Sequence, residues 1–320
     1  MDASHTHHVD FEQSDIRVLQ RLTSGTLGHI WLAEKRESGE LYALKILRKD
    51  VKYDTTSKLI LRSNLSALRK QQLNFILVLS GSLRMDDRDM LISQYMPGGD
   101  LESYISRNGP LGPAVAQFYA AELCQAILFI HRCGVIHRNI GLEHILLDAN
   151  GHIRLTGFGC CKNDMWRESK TSTFCGGLSL APEILLDLPY GRAVDWWGFG
   201  VSLFEMLEAA HPFGGEDEDT IYDEILDDDK PHYPPEMPQS SKSILQQLLL
   251  RDPNARLGAD ADALLTYEFF AGISWEDISR EQMEAPLLLH SQRAAEVIKE
   301  VSAKSALASE EDNQNVFLGF

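Results

Sequence analysis

The sequence predicts an α+β chain in two lobes, a small antiparallel β-rich lobe first and a larger α-rich lobe after it. Three observations carry that prediction. Short β-type stretches alternate with turn signals between Ile16 and Leu47, Pro97-Gly98-Gly99 interrupts the pattern, and beyond it long apolar stretches have the character of helices buried inside a lobe.

Taken in order, residues 1–14 are polar and acidic and are expected to form a tail, in which His5, His7 and His8 are not expected to hold a metal. Ile16-Arg17-Val18-Leu19, His29-Ile30-Trp31-Leu32 and Leu41-Tyr42-Ala43-Leu44 follow as a meander, with the turn Glu37-Ser38-Gly39-Glu40 before the third. Leu61, Leu65 and Leu68 fall at helical spacing, and apolar stretches from Phe75 to Leu79 and from Met90 to Ser93 complete a first lobe over residues 15–96. The second lobe, residues 97–270, holds a long segment from Ala114 to Ile130 and another from Val194 to Leu207 that is apolar nearly all round. Residues 271–320 are looser and more charged, and end on Phe317-Leu318-Gly319-Phe320. An acidic tail closing on two aromatics suggests docking.

With 320 residues and 44% hydrophobic content, the chain can bury a large core. Its 47 acidic residues against 30 basic ones give a formal net charge of −17, a field that repels nucleic acid and anionic lipid. No run of about 18 apolar residues and no cationic leader stands in the sequence, so membrane insertion is not expected. The five cysteines are odd in number and lack C-x-x-C spacing, which predicts free thiols in a reducing compartment, cytoplasmic or nuclear.

Several motifs in fixed order make the resemblance specific. Thr23-Ser24-Gly25-Thr26-Leu27-Gly28 is followed by Ala43-Leu44-Lys45, then His137-Arg138-Asn139, then Gly157-Phe158-Gly159, then Leu180-Ala181-Pro182-Glu183, with Asp195-Trp196-Trp197 and Arg256 behind them. In order and spacing the chain resembles a eukaryotic protein kinase. The tail motifs Phe269-Phe270, Ile273-Ser274-Trp275 and the terminal Phe-x-x-Phe are similar to the AGC group of Ser/Thr kinases, nearest in style to cAMP-dependent protein kinase. The resemblance implies a bilobal kinase fold with an AGC-type tail.

It also locates what the chemistry needs. Phosphoryl transfer requires positioned phosphates, Mg²⁺ and a group that orients the attacking hydroxyl. Asn139 stands where the family has its catalytic Asp, Gly141 where it has a phosphate-contacting Lys, and His144 and Gly157 where it has the metal-binding Asn and Asp. A neutral amide is no base near neutral pH, and neither His144 nor Gly157 offers Mg²⁺ a hard oxygen. Lys45 persists, but its usual helix carboxylate is replaced by Asn64 in the best register, and no Asp or Glu occurs between Asp54 and Asp86. A lost general base alone is worth about 10²–10⁴ in rate, roughly 3–5 kcal/mol. These losses lead to the expectation that the chain is not an enzyme: a pseudokinase serving as scaffold or allosteric regulator of an active kinase or another signalling protein. No cofactor would be required and no metal held, with room for ATP without Mg²⁺. The alternatives are a weakly active or unconventional ATP-dependent Ser/Thr kinase and a metal-independent nucleotide sensor.

Other residues take their expected roles from the same resemblance. Leu22, Gly25, Gly28, Ile30, Ala43, Lys45, Gln94, Met96 and Leu146 are the nucleotide-binding candidates. Thr173 stands where an activation-loop phosphate would be, with Arg138 and Lys162 placed to receive it. Asp195, Glu183 and Arg256 are expected to be structural, and Phe317 and Phe320 to dock the tail. Leu68, Leu79, His137 and Phe158 match the family's hydrophobic column.

Overall fold

The structure, a computed structural model, describes residues 11–25, 28–48, 75–85, 88–227, 231–258 and 261–287. The chain divides into two compact units, one of residues 1–67, 77–98 and 289–320, the other of residues 68–76 and 99–288. The α+β class expected from the sequence is the class observed, and each unit has its own sheet.

The first unit is built on β1 (Ile16–Gly25), β2 (Gly28–Lys35), β3 (Leu41–Leu47), β4 (Leu79–Met85) and β5 (Arg88–Gln94), all paired antiparallel in the order β1-β2-β3-β5-β4. Ile16, Val18, Ala33, Leu44, Ile46, Met90 and Ile92 form its core on the buried face that strand alternation provides, and Phe11 packs with them from outside the strands. At the start of β2 only glycine fits: Gly28 has φ +148°, and a Cβ there would lie 2.0 Å from the Ile46 carbonyl oxygen. The flanking Thr26 and Leu27 of the glycine-rich segment lie outside the described residues, as do Asn64, Leu68, Phe317 and Phe320.

The second unit opens with the short strand β6 (Gly99–Asp100), which pairs with β7 (Ile145–Leu147), itself paired with β8 (Ile153–Leu155). Asp100 caps α1 (Leu101–Asn108) by accepting from the Ser103 amide at 2.7 Å. α2 (Pro113–Arg132) starts on Pro113, whose missing N–H costs nothing at a helix start, and packs against α4 (Ala193–Glu208). Although α2 is long and apolar enough to cross a membrane, 78% of its most apolar window is buried within the protein, as in a core helix. The short α3 (Pro182–Leu185), α5 (Glu218–Leu226), α6 (Gln239–Leu248), α7 (Ala261–Leu265) and α8 (Trp275–Ser279) complete the unit, with α6 on α4 and α8 on α2. Residues 271–287 pack into this unit too: the Leu287 amide donates to the Tyr119 hydroxyl at 3.3 Å, and Arg154 bridges Asp148 and Glu281 at 2.6 Å each.

Candidate functional site

The catalytic-loop segment of the second unit is held from beneath by one carboxylate. Asp195, in the first turn of α4, accepts from the His137 and Arg138 amides at 2.9 and 2.7 Å and from His131 Nε2 at 2.7 Å. Burial alone would push this carboxyl up, but the His131 hydrogen bond and the neighbouring imidazoles outweigh it and hold Asp195 below the usual carboxylate range. His137 is fully buried, donates from Nε2 to the Thr156 carbonyl at 2.8 Å and packs edge-on against Phe158 at 4.8 Å.

Burial lowers the His137 imidazole from 6.5 to about 4, so the folded protein carries it neutral. In the unfolded chain it charges below its ordinary value. Its contribution is therefore intact above pH 6.5 and lost as pH falls through about 4, which removes about 3 kcal/mol of stability. Thermal melts between about pH 7 and pH 4.5 are expected to show this decline, and His137→Gln is expected to flatten it. An equal slope in both proteins would refute the assignment.

Asn139 and His144 form a pair. Asn139 Nδ2 lies 2.7 Å from His144 Nε2, and because an amide nitrogen only donates, the imidazole nitrogen accepts. Gly157, at φ +82°, leaves space for that ring: a Cβ at 157 would stand 2.4 Å from its Cδ2 and Cγ. At Gly141 a Cβ would meet Glu143 Oε2 at 2.3 Å, so the acidic side chain of Glu143 folds over the position where the family has a lysine.

Three carboxylates gather beside this loop. Glu102 comes from α1, Glu143 from the turn Leu142–His144, and Glu205 from the last turns of α4. Burial, then Glu143 and Glu102, push the Glu205 carboxyl up to about 8, and among the described residues no cation pairs with it. Burial, then Glu143 and Asp100, raise Glu102 as well.

The activation segment meets the loop through Arg138. This residue adopts φ +66° and donates to the carbonyls of Cys160 and Cys161 and, at 3.1 Å, to the Tyr190 hydroxyl. Tyr190 in turn donates to the Thr173 carbonyl at 2.5 Å. Arg138 and Thr173 therefore share one intermediary, while Lys162 pairs through its backbone with Ile136 at 2.9 and 3.0 Å. The Thr173 side chain is exposed. Cys160 and Cys175 form a disulfide, which corrects the expectation that every thiol is free; Cys124, Cys133 and Cys161 are unpaired.

The nucleotide candidates are distributed over both units. On the sheet of the first, Ile30 pairs with Lys45, and Ala43 lies between Leu32 and Ser93; Leu22 and Gln94 are exposed and Met96 is buried. Burial lowers the Lys45 ammonium below the usual lysine range. Gly25 and Gly28 face each other across the β1–β2 turn, and Leu146 sits on β7 of the second unit. Glu183 and Arg256 are joined by two hydrogen bonds of 2.7 and 2.8 Å in the interior. Sequence reasoning missed Tyr190, the Glu102–Glu143–Glu205 group and the cysteine pair; the carboxylates come from three separated elements and had no local signal.

Comparison with known proteins sets this geometry in a family. A protein-family model described as protein kinase domain matches residues 16–270. A protein kinase C-like protein of Neurospora crassa is 44% identical over 274 residues, which cover 83% of this chain and 24% of that relative. Protein kinase C-like 2 of Schizosaccharomyces pombe is 40% identical over 282 residues, 86% of this chain and 28% of the relative. RAC-beta serine/threonine-protein kinase A of Xenopus laevis is 34% identical over 285 residues, 87% of this chain and 58% of the relative. The chain spans about a quarter of the length of the kinase C-like relatives it matches. Relatives of 40–44% identity that are named as protein kinases overturn the expectation that the chain is not an enzyme. The family's use of ATP with Mg²⁺ likewise overturns the expectation of no required cofactor and of ATP without Mg²⁺. The two side-chain positions do not fit that ion: a ring nitrogen engaged by Asn139 and a glycine supply no hard oxygen. Among the described residues no group of three or more His, Cys, Asp or Glu could hold a metal. Matched over most of its length, the chain belongs to the eukaryotic protein kinases, as a member of the AGC type.

Proposed function

We propose that the chain is a weakly active, unconventional ATP-dependent Ser/Thr protein kinase that acts on basic protein segments. Its family supplies the reaction, and the relatives' names supply the hydroxyl acceptor. Turnover is low because a neutral amide at 139 and a glycine at 157 withhold groups worth several kcal/mol. Leu22, Gly25, Gly28, Ile30, Ala43, Lys45, Gln94 and Met96 are the nucleotide candidates of the first unit and Leu146 that of the second, and Thr173 with Arg138 and Lys162 is where a phosphate would tighten the activation segment.

The observation that carries the substrate class is Glu205. A carboxyl kept protonated until about 8 by burial and by Glu143 and Glu102 is a site that an arriving guanidinium would ionise and pair with. Cationic side chains near the accepting Ser or Thr would therefore position the substrate, and position is most of what this chemistry asks of the protein.

The test is transfer of labelled phosphate from ATP with Mg²⁺ to a Ser-containing peptide rich in arginine, beside the same peptide with its arginines changed to alanine. Slow transfer to the first, abolished by Lys45→Ala and weakened through KM by Glu205→Gln, is expected. No transfer to either peptide, at any enzyme concentration, overturns the reading.

A further inference from the structure

We propose that His144 is the catalytic base of this chain, taking from the substrate hydroxyl the proton that Asn139 cannot accept. The inference rests on the kinase reading above and names the group that serves it.

A base must stand within about 2.6–3.2 Å of the proton it removes. The family's carboxylate position is filled by Asn139, and His144 Nε2 lies 2.7 Å from its amide nitrogen. Asn139 donates into that nitrogen, so its lone pair points to the place a hydroxyl reaches when it displaces the amide. Two bonds hold the His144 backbone from which the ring projects. The His144 amide donates to the Gly141 carbonyl at 3.0 Å, and the Thr156 amide donates to the His144 carbonyl at 2.8 Å. Gly157 completes the seat, since any side chain there would collide with the imidazole.

A carboxylate and a second imidazole stand beside the ring. Glu143 Oε1 lies 3.8 Å from Nε2, and the buried His137, 6.2 Å away between ring centres, is neutral. The side chain is 24% exposed, which gives the proton a path to water.

The step balances with ATP as the only co-reactant. A lone pair of the Ser or Thr oxygen forms a bond to the γ-phosphorus, and the bond from that phosphorus to the bridging oxygen breaks with its electron pair leaving on ADP. The hydroxyl proton moves to Nε2 and then to water.

Wild type, His144→Gln, Glu143→Gln and His144→Gln/Asn139→Asp are compared for kcat at saturating basic peptide from about pH 5 to pH 9, after melting curves confirm that each is folded. Wild type is expected to rise about tenfold per pH unit on the acid side and then level off. His144→Gln is expected to fall by about 10²–10⁴ and lose that limb, Glu143→Gln to keep it, and the double variant to recover most of the rate through its carboxylate. Transfer by His144→Gln at the wild-type rate, or an acid limb that disappears with Glu143 instead, overturns the base assignment and leaves the kinase reading standing. Absence of transfer from wild type at every pH overturns both.

Discussion

Gly157→Asp alone is expected to destabilise the protein by about 2–4 kcal/mol and to lower turnover rather than restore it. The reason is volume. A Cβ at 157 would lie 2.4 Å from two atoms of the His144 ring, a separation that real side chains do not sustain, and the ring cannot simply swing aside. Its Nε2 is held by Asn139 and its backbone by Gly141 and Thr156, so swinging the ring aside breaks the pair that positions it. Backbone strain is the smaller part, because Asp tolerates the left-handed region, φ +82° here, better than most residues. Adding His144→Asn removes the obstruction, and adding Asn139→Asp then supplies a carboxylate base. The triple variant is expected to melt near wild type and to exceed its turnover, because the carboxylate at 139 takes over the base role of His144 while the changes at 144 and 157 add hard-oxygen ligands for Mg²⁺, worth several kcal/mol. Melting curves and labelled-phosphate transfer on the three proteins decide it. A single Gly157→Asp variant with unchanged melting and raised turnover would show that the two positions are not coupled.

That coupling shows which parts of the molecule were legible in the sequence. The lobes, the β meander and the long buried helices follow from local periodicity, and Asp195, Glu183 and Arg256 sit in motifs whose resemblance to the kinase family placed them. The substitutions at 139, 141, 144 and 157 were legible for the same reason. Their meaning was not, because each was weighed as a missing family group and not as a side chain with neighbours: that His144 fills the space beside Gly157, or accepts from Asn139, appears only when the turn Leu142–His144 is folded against the end of β8. Summing the losses led to the expectation that the chain is not an enzyme, which the relatives overturn. The carboxylates Glu102, Glu143 and Glu205 come from elements far apart in sequence, and the Tyr190 bridge from Arg138 to Thr173 spans the activation segment; contacts of this kind leave no periodic trace. The Cys160–Cys175 pair was hidden by an odd total that argued for free thiols.

Arg256→Ala is expected to cost about 3–5 kcal/mol, the penalty for leaving a buried charge unpaired, and to lower the melting temperature by roughly 10 °C. Arg256 and Glu183 have side chains 0% and 3% exposed, so water cannot replace the lost partner. The guanidinium also donates to the carbonyls of Leu250 and Ala193 at 2.9 Å each and covers the face of Trp197 at 5.1 Å, contacts that alanine abandons as well. Because a buried pair is balanced by its own desolvation, Glu183→Gln combined with Arg256→Met is expected to recover a large part of the loss, as neither residue is then an orphan charge. The position of the pair carries the effect to the site. Glu183 lies in α3, directly behind the end of the activation segment, while Ala193 opens α4 two residues before Asp195, whose carboxylate holds the His137 and Arg138 amides. Transfer by Arg256→Ala should therefore fall even at temperatures where it remains folded, and the double variant should regain transfer together with stability. An Arg256→Ala protein that melts within about 1 kcal/mol of wild type would mean that the interior relaxes around the lone carboxylate, and that the pair does not brace the catalytic loop.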